Sequence, residues 1–347
     1  MQSSSGNGGK DPLVSVVLPV WNAAGTVRSC IDSLLTQSLR DIEVVAVDDG
    51  SDDETGEILT GAARSDDRLH VVHGPHRGIV GALNHGLSLA RGRYIARMDA
   101  DDLSHPLRLE KQVALLDTQP EIGVASCLVE HAGHTDRQAG YAQYVDWANS
   151  VCSADDIRAA RFIESPVPHP TVMFCRELIA RYGGYREGSF PEDYDLWLRW
   201  LEEGVAFEKV AECLLAWHDP AERLSRRDPR YAVEAFYEHK AGFLARWLER
   251  HNPLHPAVWI WGAGRVSRQR AEHLQHHGCR IEGYIDIDPR KIGQRIKGRR
   301  VVTPEDVPPV GKAFVVPYVG SRGARQLIEQ QLQSQGFRRE RDYICAA

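Results

Sequence analysis

The chain has 347 residues, a formal net charge of −6, 42% hydrophobic residues and 26% charged residues. This length suits two domains with buried cores. The mildly acidic balance and the dispersed Lys and Arg residues argue against nucleic acid as a partner. No apolar run approaches the roughly 20 residues that a membrane helix needs, so any membrane association would be peripheral, at the inner face of the membrane. Seven scattered cysteines without a CxxC pair indicate a reduced, cytoplasmic protein.

The first third of the chain alternates strand and helix patterns. The first ten residues lack the apolar core of a signal peptide, and we expect residues 1–12 to form a disordered tail. Short apolar runs then predict strands at 14–18, 43–47, 69–72 and 94–96. Apolar residues at helical spacing predict helices at 27–35, 55–63 and 80–90. Repeated β-α units with short connections predict a mixed, mostly parallel sheet covered by helices.

The middle third is less regular. Strands are predicted at 124–129 and 171–174, separated by a polar, aromatic-bearing stretch from 130 to 170 that we expect to be irregular. The pair Glu192-Asp193 begins a predicted helix, and acidic residues in a first turn suit the positive end of the helix dipole.

The last third begins with a predicted long helix and ends in a second β-α pattern. Asp228-Pro229 marks the helix start, because Asp is a good N-cap and Pro a good first helical residue, and the helix should run to about Arg250. We therefore predict a connecting helix over 229–252 and a small Rossmann-like α/β domain over 253–347. Its predicted strands are 258–261, 281–285, 301–302 and 313–316, with helices ending near 277 and spanning 326–335.

One glycine motif in this last region resembles a dinucleotide-binding turn. Gly262-Ala263-Gly264 follows a predicted strand and precedes a helix, with Asp286 further on. The third glycine position is Ser267, however, so a structural turn is the favoured interpretation.

Two acidic loops follow predicted strands of the first third. Residues 48–53 read Asp-Asp-Gly-Ser-Asp-Asp, and residues 99–102 read Asp-Ala-Asp-Asp. Clustered carboxylates suit a hard divalent cation that shares its oxygen ligands with a phosphate. Loops after parallel strands lie at the carboxyl edge of an open α/β sheet, where nucleotides bind. For 48–53 the alternative is a turn with a helix cap, since Asp, Gly and Ser favour such turns.

Four motifs, in order, resemble the inverting family 2 glycosyltransferases of the GT-A fold. They are Leu18–Asn22, Val47–Asp53, Met98–Asp102 and Pro191–Trp197. The resemblance implies a GT-A domain over 13–228, with a nucleotide-binding half (13–125) and an acceptor half (126–228). It also implies an inverting hexosyltransferase of polysaccharide biosynthesis with Mn²⁺ or Mg²⁺ as cofactor. The donor would be a nucleotide diphosphate sugar, with UDP favoured over dTDP or GDP, and the acceptor a hydroxyl of a glycan or a lipid-linked sugar.

The resemblance implies roles for individual residues. Asp49 would accept a hydrogen bond from the uracil imide, Asp101 would ligate the metal, and Asp193 would be the general base with Glu192 as its support. The implied donor-binding residues are Pro19, Val20, Asn22, Asp48, Asp49, Ser51, Arg77, Asp99, Ala100 and Arg223. The implied metal ligands are Asp99, Asp101 and His218. The implied acceptor-side residues are His169 and Trp197.

This set of residues suits the chemistry. Sugar transfer leaves negative charge on the departing diphosphate, which a divalent cation neutralises. The attacking hydroxyl needs one carboxylate within hydrogen-bond reach, and inversion requires no second base.

Structural alternatives remain open for several of these residues. Asp102 could cap a turn, His169 could be a buried structural residue, and Arg223 could form a surface salt bridge. His218 could contact the diphosphate instead of the metal.

Two rival functions remain. A sugar-phosphate nucleotidyltransferase would use a similar metal site, but the loop 19–25 has no basic residue to grip a triphosphate. A nucleotide sensor or assembly protein would bind its ligand through the C-terminal domain.

Overall fold

The computed structural model describes residues 11–132, 139–219, 224–321 and 323–347. The chain divides into two compact units. The first unit comprises Met1–Ala154, Val167–Glu187 and Val205–Ala221, and the second comprises Asp155–Pro166, Gly188–Gly204 and Glu222–Ala347. The domain bounds predicted from the sequence stay a prediction. Among the helices in the described ranges, none combines the length and apolar character needed to span a membrane.

The elements alternate between strand and helix through much of the chain. The strands are β1 (Val14–Val20), β2 (Ile42–Asp48), β3 (Leu69–His73), β4 (Tyr94–Arg97), β5 (Leu103–Ser104), β6 (Ile122–Ala132), β7 (Met173–Cys175), β8 (Ala206–His218), β9 (Ala257–Trp261), β10 (Arg280–Ile285), β11 (Arg295–Ile296), β12 (Arg299–Val302) and β13 (Val315–Pro317). The helices are α1 (Val27–Leu35), α2 (Thr55–Ala63), α3 (Gly78–Leu89), α4 (Arg108–Thr118), α5 (Ala139–Ser150), α6 (Ala154–Ala160), α7 (Glu177–Tyr182), α8 (Glu192–Glu202), α9 (Leu224–Arg227), α10 (Val233–His251), α11 (Arg265–His276) and α12 (Ala324–Ser334).

The first unit is built on an eight-stranded sheet with the order β3-β2-β1-β4-β7-β6-β8-β5. Strands β1 to β4 are parallel, β7 runs antiparallel to its neighbours β4 and β6, β8 runs parallel to β6, and β5 pairs antiparallel with β8. The predicted mixed, mostly parallel sheet is confirmed. Every residue of β1 and β2 is buried, as expected for strands that are covered on both faces.

The stretch from 130 to 170 is not irregular as predicted, because it contains α5 and α6. On α5, the rings of Tyr141 and Tyr144 pack against Trp217 of β8, with centroid distances of 5.0 and 6.0 Å. Because Trp217 lies far along the chain, the local sequence does not show that these aromatic side chains are packed. The polar composition of the stretch therefore did not predict the helix. The strand predicted at 171–174 is also shorter, because His169–Thr171 forms a 3₁₀ turn before β7.

The long connecting helix begins at Val233 rather than at Pro229. Asp228 does cap a turn, since its carboxylate accepts the N–H of Arg230 at 2.9 Å, but that turn is the 3₁₀ segment Pro229–Tyr231. Ala232 then adopts extended backbone angles (φ −60°, ψ 143°), which interrupt the helical hydrogen bonds before α10 starts.

The second unit contains a five-stranded sheet with the order β11-β12-β10-β9-β13. Strand β11 is antiparallel and the other four are parallel. The sequence β9-α11-β10 forms a parallel β-α-β unit, in which Val258 and Ile260 of β9 share a core with Ala271 and Leu274 of α11. The smaller sheet therefore follows the β-α pattern read from the sequence, although its Rossmann-like assignment stays a prediction.

Candidate functional site

Three loops lie at the carboxyl edge of the large sheet. The parallel register places Val20 of β1 opposite Asp48 of β2, and Val17 of β1 opposite Arg97 of β4. The Asp49 N–H donates to the Val20 carbonyl at 2.8 Å, which holds the second loop against the first. The sequence expectation that both acidic loops lie at one edge of the sheet is therefore confirmed.

Asp49 is the residue through which α3 is fixed to this edge. Its buried carboxylate accepts hydrogen bonds from the N–H groups of Arg77 at 2.7 Å and Gly78 at 2.8 Å, and His76 Nδ1 lies 2.9 Å from Oδ2. These donors sit at the N-terminus of α3, where a negative charge is favourable. The neighbouring Gly50 has φ +74°, and a side chain there would collide with the His76 backbone.

The predicted donor-binding residues Asn22, Asp48 and Ser51 form a network that ties the first two loops together. The Ser51 hydroxyl accepts the Asn22 N–H at 2.9 Å, and Asp48 accepts the Ser51 N–H at 3.1 Å. Asp48 Oδ2 also lies 2.9 Å from His73 Nδ1. Burial raises the pKa of Asp48, but the hydrogen bonds from Ser51 and His73 outweigh this effect and leave it below its usual value. The hydrogen bonds of these polar groups therefore fix the conformation of the first two loops.

The side chains of Trp21 and His76 pack against each other beside Asp49. Neither side chain was among the donor-binding residues predicted from the sequence. The Trp21 side chain is 53% exposed, and its ring centroid lies 4.8 Å from that of His76, with 31° between the planes. The signal available in the sequence was a tryptophan inside the Leu18–Asn22 motif, whereas its exposure is shown only by the structure.

The third loop carries a compact carboxylate cluster. Asp99, Asp101 and Asp102 each offer an oxygen, and these oxygens lie within 4.8 Å of one another. Asp102 is buried, whereas Asp99 and Asp101 are half-buried. Three hard oxygen donors at this spacing fit the ligand preference of Mg²⁺ or Mn²⁺.

A buried arginine lies behind the cluster. Arg97, at the end of β4, forms an ion pair with Asp99 and is itself buried. Burial lowers the pKa of Arg97, but the Asp99 carboxylate raises it above the usual value, so the guanidinium stays charged. Arg108, also buried, donates to the carbonyls of Arg97 at 3.3 Å and Pro170 at 2.6 Å. A cation bound at the cluster would therefore share the Asp99 carboxylate with the buried Arg97 guanidinium.

The structure gives His218 a backbone role at this cluster. The His218 N–H donates to Asp102 Oδ1 at 2.8 Å. Its imidazole nitrogens do not belong to the group of closely spaced ligand atoms found among the described residues, which comprises Asp99, Asp101 and Asp102.

His169 is a buried residue of the first unit. Its Nε2 lies 2.7 Å from the Tyr185 hydroxyl, and Asn84 holds the Tyr185 backbone with hydrogen bonds of 2.9 and 3.1 Å. Burial lowers the pKa of His169 well below its usual value, and the charge of Arg97 adds to this effect. His169 is therefore a neutral group packed beneath the surface, in line with its structural alternative.

Three carboxylates occupy the first turn of α8 in the second unit, and only one of them reaches solvent. Glu192 is 3% exposed and accepts the Tyr231 hydroxyl at 2.6 Å. Asp195 is 1% exposed and contacts both Arg199 at 2.8 Å and His239 at 3.1 Å. Asp193 is half-buried, and its Oδ1 accepts the Tyr194 N–H at 2.7 Å. Among these carboxylates, Asp193 is the one that a substrate can reach.

The remaining predicted residues have mixed placements. Trp197 is fully buried and packs against Trp200 with centroids 5.7 Å apart, so it belongs to the core and not to an acceptor surface. Arg77 has an exposed side chain, and its backbone binds Asp49. Pro19 and Val20 are buried in β1, and Ala100 packs on the core of the first unit. Arg223 lies outside the described residues.

The glycine motif of the second unit forms a closed turn. Asp286 accepts the Ala263 N–H at 2.8 Å and the Asp288 N–H at 2.9 Å, and Lys291 Nζ lies 3.1 Å from its carboxylate. Asp286 therefore ties the turn to β10, in line with the structural interpretation.

Comparison with known proteins identifies the family. The model of "Glycosyl transferase family 2" matches residues 15–183. "Putative glycosyltransferase EpsE" of Bacillus subtilis (strain 168) is 33% identical over 240 residues, which cover 64% of this chain and 79% of that protein. "O-antigen biosynthesis glycosyltransferase WbnJ" of Escherichia coli is 29% identical over 243 residues, which cover 69% of this chain and 90% of that protein.

A solved structure shares the fold. S. aureus TarS 1-349, crystallised in complex with UDP-GlcNAc, superposes with a TM-score of 0.54 at 18% identity, covering 76% of this chain and 71% of that chain. The likeness to TarS supports the fold, the relative EpsE carries the assignment, and the family model agrees with it. The chain therefore belongs to glycosyl transferase family 2.

Proposed function

We propose that this chain is a metal-dependent, inverting glycosyltransferase that moves a sugar from a UDP-sugar to a hydroxyl of a glycan or a lipid-linked acceptor. The observation that carries the proposal is the cluster of Asp99, Asp101 and Asp102 at the same sheet edge as Asp49. A divalent cation held there would neutralise the charge that develops on the diphosphate leaving group.

The proposal assigns the donor base to the surface formed by Asp49, Trp21 and His76. A carboxylate has more acceptor positions than the two backbone N–H groups and the imidazole occupy, so Asp49 retains capacity for an imide N–H. The exposed Trp21 ring offers a stacking face for a planar base. TarS, which shares the fold, binds UDP-GlcNAc, and this makes UDP-sugars the first donors to test.

The proposal assigns the general base to Asp193 and leaves Glu192 as a support. Glu192 is buried and accepts a hydrogen bond from Tyr231, whereas Asp193 is half-buried and accessible to solvent. A carboxylate that takes the acceptor proton must reach the attacking hydroxyl, so accessibility favours Asp193. The relative WbnJ is named for O-antigen biosynthesis, which makes a surface polysaccharide the acceptor class to test first. A cytoplasmic location and peripheral membrane association stay predictions.

Calorimetric titration of UDP, with and without Mn²⁺, tests the donor site. We expect Mn²⁺-dependent binding by the wild-type protein and its loss in Asp101→Asn. The matched control is Asp32→Asn, which removes a carboxylate from an exposed pair with Arg28 on α1. Metal-independent binding in the wild type, or equal binding by Asp101→Asn, would overturn the assignment of the metal site. A screen of UDP-sugars, with the product anomer read by NMR, then tests transfer and inversion.

A further inference from the structure

A groove of about 910 Å³ lies on one face of the five-stranded sheet of the second unit. Its lining includes Trp259 of β9, Arg280 of β10, Arg300 of β12 and Lys312 in the loop before β13. The volume falls within the range of small-molecule sites. The nucleotide and metal site described above uses none of these residues.

The floor of the groove is set by one cross-strand row. Trp259, Gly283 and Arg300 are register partners on the neighbouring strands β9, β10 and β12. Side chains opposite one another on adjacent strands project to the same face. A side chain at position 283 would collide with the indole ring of Trp259, so the ring lies across the β10 backbone in the space that the glycine leaves.

This row places an aromatic face and a guanidinium on one surface. Two strand spacings separate the backbones of Trp259 and Arg300 by about 10 Å. The face of an aromatic ring carries negative potential, which favours packing against the weakly positive C–H groups of a sugar ring. The half-buried indole therefore suits a saccharide better than it suits an anion alone.

The charges of the groove favour an anionic ligand. Its lining carries three cations, Arg280, Arg300 and Lys312, against the two carboxylates Glu282 and Asp306, and Arg280 is paired with Glu282. Arg300 and Lys312 are exposed, and within the described ranges neither has a carboxylate at ion-pair distance. A planar guanidinium matches a carboxylate or a phosphate group, and an ammonium attracts either one as a point charge.

We propose that this groove binds an acidic saccharide, with a sugar ring over Trp259 and its carboxylate or phosphate groups paired with Arg300 and Lys312. Binding at this groove requires neither the donor nor the metal. The proposal therefore stands or falls independently of the proposed transferase function.

The test titrates the full chain with trigalacturonate and with neutral maltotriose, without nucleotide or metal. We expect trigalacturonate to bind and maltotriose to bind at least tenfold more weakly. In Arg300→Gln/Lys312→Gln the affinity for trigalacturonate should fall at least tenfold. The matched control is Arg338→Gln/Arg341→Gln, which removes two exposed cations of the same unit outside the groove and should leave the affinity within twofold.

Two further measurements complete the test. Trp259→Phe should weaken binding severalfold and should remove a ligand-induced change in tryptophan fluorescence. Glucose 1-phosphate replaces the carboxylate with a phosphate, so preferential binding of one probe identifies which anion is recognised. The proposal is overturned if neither acidic probe binds the wild-type protein, or if the two double variants bind them equally.

Discussion

The Asp102 carboxylate accepts a 2.8 Å hydrogen bond from the backbone N–H of His218, a residue 116 positions later in the chain. Asp102 also contributes an oxygen to the cluster with Asp99 and Asp101. One buried side chain thus links the acidic loop after β4 to the end of β8 and adds negative charge to the proposed metal site.

Two substitutions at Asp102 should separate these roles. Asn keeps an acceptor oxygen for the His218 N–H and removes the charge, so Asp102→Asn should retain stability while Mn²⁺-dependent UDP binding falls roughly 10–100-fold. Asp102→Ala leaves the N–H unpaired and should also lower the free energy of unfolding by about 1–3 kcal/mol. Urea unfolding and calorimetry measure the two effects. Equal stability loss in both variants would argue against a separable hydrogen-bonding role.

Asp193→Asn should nearly abolish turnover and spare donor binding. Removing a positioned base costs roughly 10²–10⁴-fold in rate, whereas the UDP site does not require its charge. The comparison is with Glu192→Gln, which keeps an acceptor for the Tyr231 hydroxyl and should reduce kcat less. Measuring kcat and the Kd for UDP in both variants decides the matter. A near-normal kcat in Asp193→Asn would show that Asp193 is not the general base.

Trp21→Ala should weaken UDP binding at little cost in stability. The ring is 53% exposed, so few packing contacts are lost, but base stacking on an aromatic ring is worth about 1–3 kcal/mol. We therefore expect roughly 5- to 150-fold weaker UDP binding with an unchanged unfolding midpoint. Leu327→Ala, at a 67% exposed position on α12, serves as the control for removing an exposed apolar side chain. Unchanged affinity in Trp21→Ala would exclude the stacking role.

His169 should make the protein less stable as the pH falls. The pKa of folded His169 lies well below its usual value, so below about pH 6.5 the unfolded chain binds a proton that the folded chain does not. Above that pH, His169 does not lower the free energy of unfolding. Below it, the free energy of unfolding falls by at most about 1.4 kcal/mol per pH unit, until the pH reaches the pKa of folded His169. Unfolding of the wild type and of His169→Gln from pH 7 to 5 tests this. Parallel stability curves would contradict a buried, neutral His169.

Local patterns predicted the elements that position the site. The apolar runs of β1 and β2 and the Asp-Gly-Ser turn between β2 and α2 are short-range features, and the predicted helix 55–63 matches α2. Because hydrophobic periodicity and turn composition act over a few residues, they can be read without the rest of the fold. The parallel order of β1, β2 and β4 then brought both acidic loops to one edge, as expected.

Long-range contacts decided what each polar residue does. Tyr231 donates to Glu192, and His239 and Arg199 hold Asp195, so the identity of the accessible carboxylate on α8 depends on residues outside its first turn. The buried face of α5 is likewise defined by a distant residue, because Tyr141 and Tyr144 pack against Trp217.

The sequence by itself determined the β-α units, the acidic loops and the family motifs, because these are carried by neighbouring residues. Only the tertiary structure decided that Asp102 meets the His218 backbone, that Asp99 is shared with Arg97, and that Trp259 and Arg300 face one groove. Hydrogen bonds and burial depend on which distant segments the folded sheets bring within a few ångströms. That proximity follows from packing the whole chain and has no signature in any short stretch of it.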